Sequence, residues 1–247
     1  MQSKYYQGLD VEDMVLRFRK NYLTKTGWLK SADIKEAVDN NGPVPWYTYS
    51  AIETLKSIVR PNMTVFEYGG GGSTAWWSTR VERIVSVDHD PDWVSQMRKT
   101  LRAGDVFDLV EINAACDSAH ERALKGYFDL GLPQYSTDDP AKDLRRGLLD
   151  REFSAYATYL MKYPKGTFDI ISVDGMARNM AAWIAAQYVN ENGFIIFDNA
   201  EREDYAAGYE VLHRAGFARI DFTGPGPINP YAWTTSIWVK SLDVFKR

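Results

Sequence analysis

From Thr64 onward, short apolar runs alternate with amphipathic stretches, the pattern of a parallel sheet joined by crossover helices. Thr64–Tyr68, Arg83–Val87, Phe107–Asn113, Phe168–Val173 and Phe194–Phe197 read as five successive strands, the first ending in a glycine run and the last three followed by polar residues. Between them, Ser73–Arg80, a stretch from Pro91 towards Leu101, and Ala177–Val189 read as helices; Asp90 is placed to cap the second, with Pro91 at its first position. Tyr205–Arg214 reads as a further helix closed by Gly216. Ala218–Phe222 and Thr235–Lys240 read as two late strands, joined by a loop rich in glycine and proline.

Two segments exceed this scaffold. Residues 1–60 form an N-terminal extension with a helical stretch near Val11–Lys20, the aromatic cluster Trp46, Tyr47 and Tyr49, and a helix over Ala51–Val59 that a Ser50/Glu53 capping box would open. Residues 117–165 form an insertion between the third and fourth strands, read either as a substrate-recognition element or as extra helix covering the sheet. The 247 residues favour one α/β domain, with residues 61–247 as its core.

Composition narrows the function classes. Apolar residues make up 45% and charged residues 25%, the balance of a folded chain. The net charge of −4, without a Lys/Arg run, disfavours nucleic acid and anionic membrane as partners. A single cysteine, Cys116, excludes an intrachain disulfide and suits a reducing cytoplasm, and no apolar stretch approaches the roughly 20 residues of a membrane span. A homo-oligomer is compatible with all of this.

The chemistry lies at the strand ends. Glycines directly after a first strand let backbone amides approach a ligand closely. A dinucleotide loop wants G-x-G-x-x-G; here Gly69 and Gly71 fit, but Thr74 stands at the third position. The alternative, an acidic residue followed by G-x-G-x-[GS], is met by Glu67, Gly69, Gly71 and Ser73. Asp88, at the end of the second strand, can accept ribose hydroxyls. Asp117, after the third, is a weaker candidate for the adenine. The fourth strand ends in Asp174-Gly175 and the fifth in Asp198-Asn199, at the same carboxyl edge. Two carboxylates and an amide oxygen make a hard oxygen set suited to Mg²⁺ or a similar divalent cation.

With these motifs the chain resembles the class I S-adenosylmethionine-dependent methyltransferases, over roughly Thr64 to Lys240. The resemblance implies a doubly wound, mostly parallel seven-stranded sheet with an antiparallel last strand, and S-adenosylmethionine as cofactor. It implies that Glu67 orients the loop and the methionyl end of the cofactor, with Gly69, Gly71, Ser73 and Thr74 around it. The strand-end set Asp174, Asp198 and Asn199 is similar to that of the metal-dependent catechol and caffeoyl-coenzyme A O-methyltransferases, which implies a metal and an oxygen acceptor on a small molecule or saccharide. In that subgroup a lysine three residues after the fourth-strand Asp can act as base; here Ala177 occupies that place and Arg178 follows. Arginine stays protonated, so Arg178 can grip an anionic substrate group but cannot take a proton. Asp174, Arg178 and Glu201 are the catalytic candidates, with Tyr205 and His120 as further substitutes for the base.

The runs PWYTY, FEYGGGGST, SVDHD, VDGMAR and FDNAEREDY also resemble a bacterial group of small methyltransferase-like proteins. There the counterparts of Trp46, Tyr47 and Tyr49 fold over the site or pack as core. Asn229-Pro230-Tyr231 is similar to the N-P-P-Y signature of DNA amino-methyltransferases, but it lacks the second proline and follows the wrong strand. Two other functions compete with methyl transfer: a catalytically silent cofactor-binding interaction domain and a nucleotide-dependent oxidoreductase.

Overall fold

The computed structural model describes residue 8 and residues 10–101, 107–113, 115, 117–132 and 152–246. Cys116 and residues 133–151 of the 117–165 insertion lie outside that set. Among the described residues seven strands form one sheet in the order β3-β2-β1-β4-β5-β7-β6. They are β1 Thr64–Tyr68, β2 Arg83–Asp88, β3 Phe107–Glu111, β4 Phe168–Val173, β5 Val189–Asp198, β6 Ala218–Gly224 and β7 Trp233–Val239. The first five run parallel, and β7 enters antiparallel between β5 and β6. This is the doubly wound sheet with an antiparallel last strand that the sequence predicts.

Side chains of successive strand residues point to opposite faces, and the two cores follow that parity. Phe66, Tyr68, Val85, Val87, Ile171, Val173, Ile195 and Phe197 fill one face. Val65, Ile84, Ile170, Phe194, Ile196, Ile237 and Val239 fill the other. Each fully buried apolar side chain is worth about 1.5–3 kcal/mol. This two-sided burial explains why the strands read as nearly continuous apolar runs.

Helices cover both faces. α1 (Val11–Phe18), α2 (Trp28–Ile34) and α3 (Tyr49–Ile58) form the N-terminal extension, and α4 (Gly72–Ser78) and α5 (Pro91–Thr100) follow β1 and β2. After β3 come α6 (Ser118–Ala123), α7 (Lys125–Phe128) and α8 (Ser154–Thr158), and α9 (Arg178–Tyr188) and α10 (Ala206–Arg214) follow β4 and β5. Leu124, Tyr127, Phe153, Tyr156 and Leu160 join the first core, so the described part of the insertion covers the sheet.

Two local expectations need correction. The Ser50/Glu53 capping box does not form: α3 starts at Tyr49 after Thr48, whose hydroxyl donates to the carbonyl of Phe222 at 2.9 Å. A tertiary contact with β6 has displaced the local cap. β5 begins at Val189 rather than Phe194. A Cβ on Gly193 would lie 2.3 Å from the carbonyl oxygen of Asp169, so this glycine admits the irregular pairing of β4 with β5.

Candidate functional site

The loop after β1 and the loop after β4 touch through glycines. Gly69 adopts φ +91°, and a Cβ there would sit 2.8 Å from Cα of Gly175; one on Gly175 would sit 2.0 Å from the Tyr156 hydroxyl. Neither position tolerates a side chain. Gly72 likewise admits the carbonyl of Val44, which a Cβ would meet at 2.9 Å. The N-terminal extension therefore reaches the same sheet edge.

Beneath the loop lies a buried polar row. Glu67 is flanked across the sheet by Ser86 of β2 and Ser172 of β4. Its Oε2 accepts from the hydroxyls of Thr74 at 2.5 Å and Ser86 at 2.7 Å. Thr74 Oγ1 in turn accepts from the Gly71 amide at 3.0 Å, so the carboxylate fixes the loop through that hydroxyl. Glu67 Oε1 is buried without a hydrogen-bond partner among the described residues. Burial raises the Glu67 carboxyl to about 7 against the pull of the surrounding hydroxyls.

Above the loop is a cleft of about 820 Å³. Gly69, Gly70, Gly71, Gly72 and Ser73 form one wall with Asp88, His89 and Trp93; Asp174, Gly175, Met176 and Arg178 form another. Ile34–Val38, Pro43 and Trp46 close it from the extension, and Ile228 from the loop before β7. Asp88 Oδ2 accepts from the Gly70 amide at 3.0 Å, and its Oδ1 accepts from the amides of His89 and Asp90. Trp93 Nε1 donates to the Gly70 carbonyl at 2.7 Å, so both ends of one peptide region are held.

At the β4–β5 end the geometry turns inward. Arg178 donates from Nε to the carbonyl of Gly175, from one terminal nitrogen to the carbonyl of Asp198 and to Oδ1 of Asn199, and from the other to the carbonyl of Asp174. That last nitrogen also lies 3.0 Å from Asp174 Oδ1. These five contacts match the five N–H donors of a guanidinium. Asp198 Oδ1 accepts from Thr235 Oγ1 at 2.5 Å and Trp233 Nε1 at 3.1 Å. Burial raises the Asp174 carboxyl to about 6, although Arg178 and Arg202 pull it down. Burial, reinforced by Asp174, pushes Asp198 well above the carboxylate range.

This arrangement corrects the expected metal site. Asp174 and Asn199 both direct oxygen at the Arg178 guanidinium, while Asp198 Oδ1 is taken by β7. Among the described residues no three His, Cys, Asp or Glu side chains group as ligands. The donor set does not fit a divalent cation, because a fixed organic cation already sits within it.

Of the residues assigned to the cofactor from sequence, Gly69, Gly71, Ser73 and Asp88 line the cleft, while Glu67 and Thr74 lie beneath the loop. Asp117 caps α6, accepting from the amides of Ala119 and His120, and is not among the lining residues. His120 pairs with Asp117 at 2.9 Å. Glu201 accepts from the Thr234 amide at 2.9 Å and ties the β5 end to β7 rather than lining the cleft. Tyr205 is buried under Arg178. Trp46 reaches the cleft, whereas Tyr47 and Tyr49 are core.

Sequence reading missed the walls made by residues 34–38, His89, Trp93 and Ile228. No local pattern marks them, since tertiary contact brings them in. Backbone strain does mark the region. Among the described residues, the non-glycine positions with positive φ are Lys35, Ala177, Asn199 and Ile228. Lys35 and Ile228 line the cleft, Ala177 lies between two lining residues, and Asn199 is bonded to Arg178. Such conformations cost about 1–3 kcal/mol each and gather where a site over-determines the backbone.

No family model matches the chain, and no curated protein matches it by sequence. Solved structures similar to it include spermidine synthase from Thermotoga maritima, at 14% identity over 78% of this chain with a TM-score of 0.48. The chain spans 59% of that synthase. Precorrin-6y C5,15-methyltransferase from Geobacter metallireducens matches at 14% identity over 85% of this chain and 96% of its own, with a TM-score of 0.49. A methyltransferase from Geobacter sulfurreducens matches at 14% identity over 94% and 98%, also at 0.49. At these values the likeness carries no functional argument, and the fold stands on the strand order and register above.

Proposed function

We propose that the cleft binds S-adenosylmethionine and that the chain is a methyltransferase acting on an oxygen of a small molecule or saccharide. The observation that carries this reading is the convergence, in one cleft, of the left-handed Gly69 turn, the Asp88 carboxylate and the Asp174 edge. The loop fits a closely approaching ligand: a Cβ on Gly71 would find its nearest neighbours, Ser73 Oγ and Trp93, at 3.9 and 4.0 Å, so the backbone there is open. When bound, the cofactor supplies an electrophilic methyl on a sulfonium.

The chain's own residues do the rest. Asp88 accepts the ribose hydroxyls, and the Glu67–Thr74 link holds the loop in register for the cofactor's other end. Asp174 faces the acceptor. A carboxylate raised to about 6 is ionised near neutral pH and basic enough to receive a hydroxyl proton. Arg178 spends its donors on the two strand ends and so positions Asp174 instead of gripping substrate. Glu201, engaged with β7, takes no part in the chemistry. Negative net charge supports a small acceptor over a nucleic acid.

Thermal-shift titrations with S-adenosylmethionine, its demethylated product and NAD test the cofactor. A rise in melting temperature with the first two, lost in Asp88→Ala, is expected; no response to either overturns the reading. Transfer of a labelled methyl group to a panel of hydroxylated small molecules and sugars tests the acceptor, with Asp174→Asn expected to lose turnover while retaining cofactor binding.

A further inference from the structure

α1 presents an apolar stripe that the described residues leave uncovered. Val11, Met14, Val15 and Phe18 recur at helical spacing and are 74, 45, 59 and 54% exposed, and no residue of the helix is buried. The helix is nevertheless attached. It continues through the π-helical turn Arg19–Leu23, where Tyr22 stacks on Phe18 at 5.1 Å and meets Tyr49 of the second core edge-on. A stripe of this kind, held out from the body, needs a cover.

We propose that the cover is α1 of a second copy, packed antiparallel about a two-fold axis near Val15. The flanking charges select this occupant and this direction. At 100° per residue, Glu12 and Arg19 fall on one flank of the stripe and Arg17 on the other, while Asp13 falls on the back of the helix. In antiparallel helices like flanks meet. Glu12 then faces Arg19 of the partner subunit. A parallel pair would bring opposite flanks together, setting Arg17 beside the partner's Arg19. An anionic lipid surface is a poorer fit. Asp10, Glu12 and Asp13 balance Arg17, Arg19 and Lys20, leaving no net charge to draw the helix to it.

Two turns of helix bury well under the roughly 800 Å² per partner of a standard interface, so the dimer is expected to be weak and reversible, with micromolar concentrations the range to search. This inference is independent of the chemistry of the cleft.

Sedimentation velocity from about 1 to about 100 μM tests it across that range. The intact chain is expected to shift from monomer to dimer. Phe18→Glu, which also loses the stack on Tyr22, and Val15→Glu are both expected to stay monomeric, the second with an unchanged melting temperature because Val15 is the more exposed. Arg19→Glu alone is expected to weaken association about tenfold or more, and the double change Glu12→Arg with Arg19→Glu to restore it. Val15→Cys in a Cys116→Ser background is expected to form an intersubunit disulfide under mild oxidant. A monomer throughout the range, or a dimer that survives Phe18→Glu, overturns the proposal. So does failure of the double charge exchange to restore association when the single change disrupts it. Monomeric protein that sediments with phosphatidylcholine–phosphatidylserine vesicles also overturns it.

Discussion

The β1–β2 end and the β4–β5 end of the sheet are built from the same materials, glycines and acidic side chains at strand termini, and they use them in opposite senses. At the first, Asp88 holds the Gly70 amide yet lines the cleft, and the open face of Gly71 looks into it. At the second, the Arg178 guanidinium is consumed by four residues of its own chain, and Asp198 is bonded to β7. One end leaves a carboxylate and open backbone at the cleft, and the other supplies its own counter-ion. Identical residue types at equivalent strand ends thus do not imply identical work.

The sharpest way to break the comparison is to remove that counter-ion. Arg178→Ala leaves Asp174 without its paired charge and several carbonyls without donors, and is expected to cost about 3–5 kcal/mol in denaturant unfolding. Arg178→Lys is not expected to rescue it, since one ammonium cannot span five acceptors. A loss under about 1 kcal/mol would show that the β4–β5 end does not depend on the clamp.

Next in size is the pH response of Glu67. The unfolded carboxyl gives up its proton near 4.5 and the folded one near 7, so folding takes up a proton between these values. The stability from this group is full below 4.5 and falls as pH rises through 7. Asp174 acts in the same direction between 3.8 and about 6. Glu67→Gln is expected to flatten the slope, removing up to about 3 kcal/mol of pH dependence between pH 4.5 and 8. Parallel stability curves for the two proteins would contradict the placement of an ionisable group there.

Asp88→Ala probes the open end. It is expected to cost about 1–2 kcal/mol of stability, for the amides it releases, while abolishing the cofactor's thermal shift. The smallest change, Trp93→Phe, deletes the bond to the Gly70 carbonyl and is expected to cost about 0.5–1.5 kcal/mol, with a weakened cofactor response if the loop loosens.

The residues legible in the sequence were those whose position is set by the sheet itself. β1 and β4 have the expected bounds because both faces of each strand are buried, and Asp88, Asp174 and Asp198 lie at strand ends because a parallel sheet must place them there. The fate of the side chains was not legible. Arg178 turns back on the strand ends beside Ala177 at φ +50° and Asn199 at φ +55°; asparagine is prone to that conformation but alanine does not announce it. The metal expectation failed for that reason. The ligands were named correctly as neighbours, but a guanidinium from the next helix reached them. Trp46 and Ile228 were equally hidden, since they come to the cleft from segments far apart in the chain.

The insertion of β7 between β5 and β6 also orders events in time. During vectorial synthesis β6 emerges before the strand that joins it to the sheet, so the β5 edge waits unpaired until residues 233–239 arrive. Trp233 and Thr235, the partners of Asp198, come from that same strand. A nascent chain halted near residue 232 would therefore carry both an open sheet edge and an unpartnered buried carboxylate. Closure of the sheet and satisfaction of the Asp198 carboxyl thus wait on the same strand.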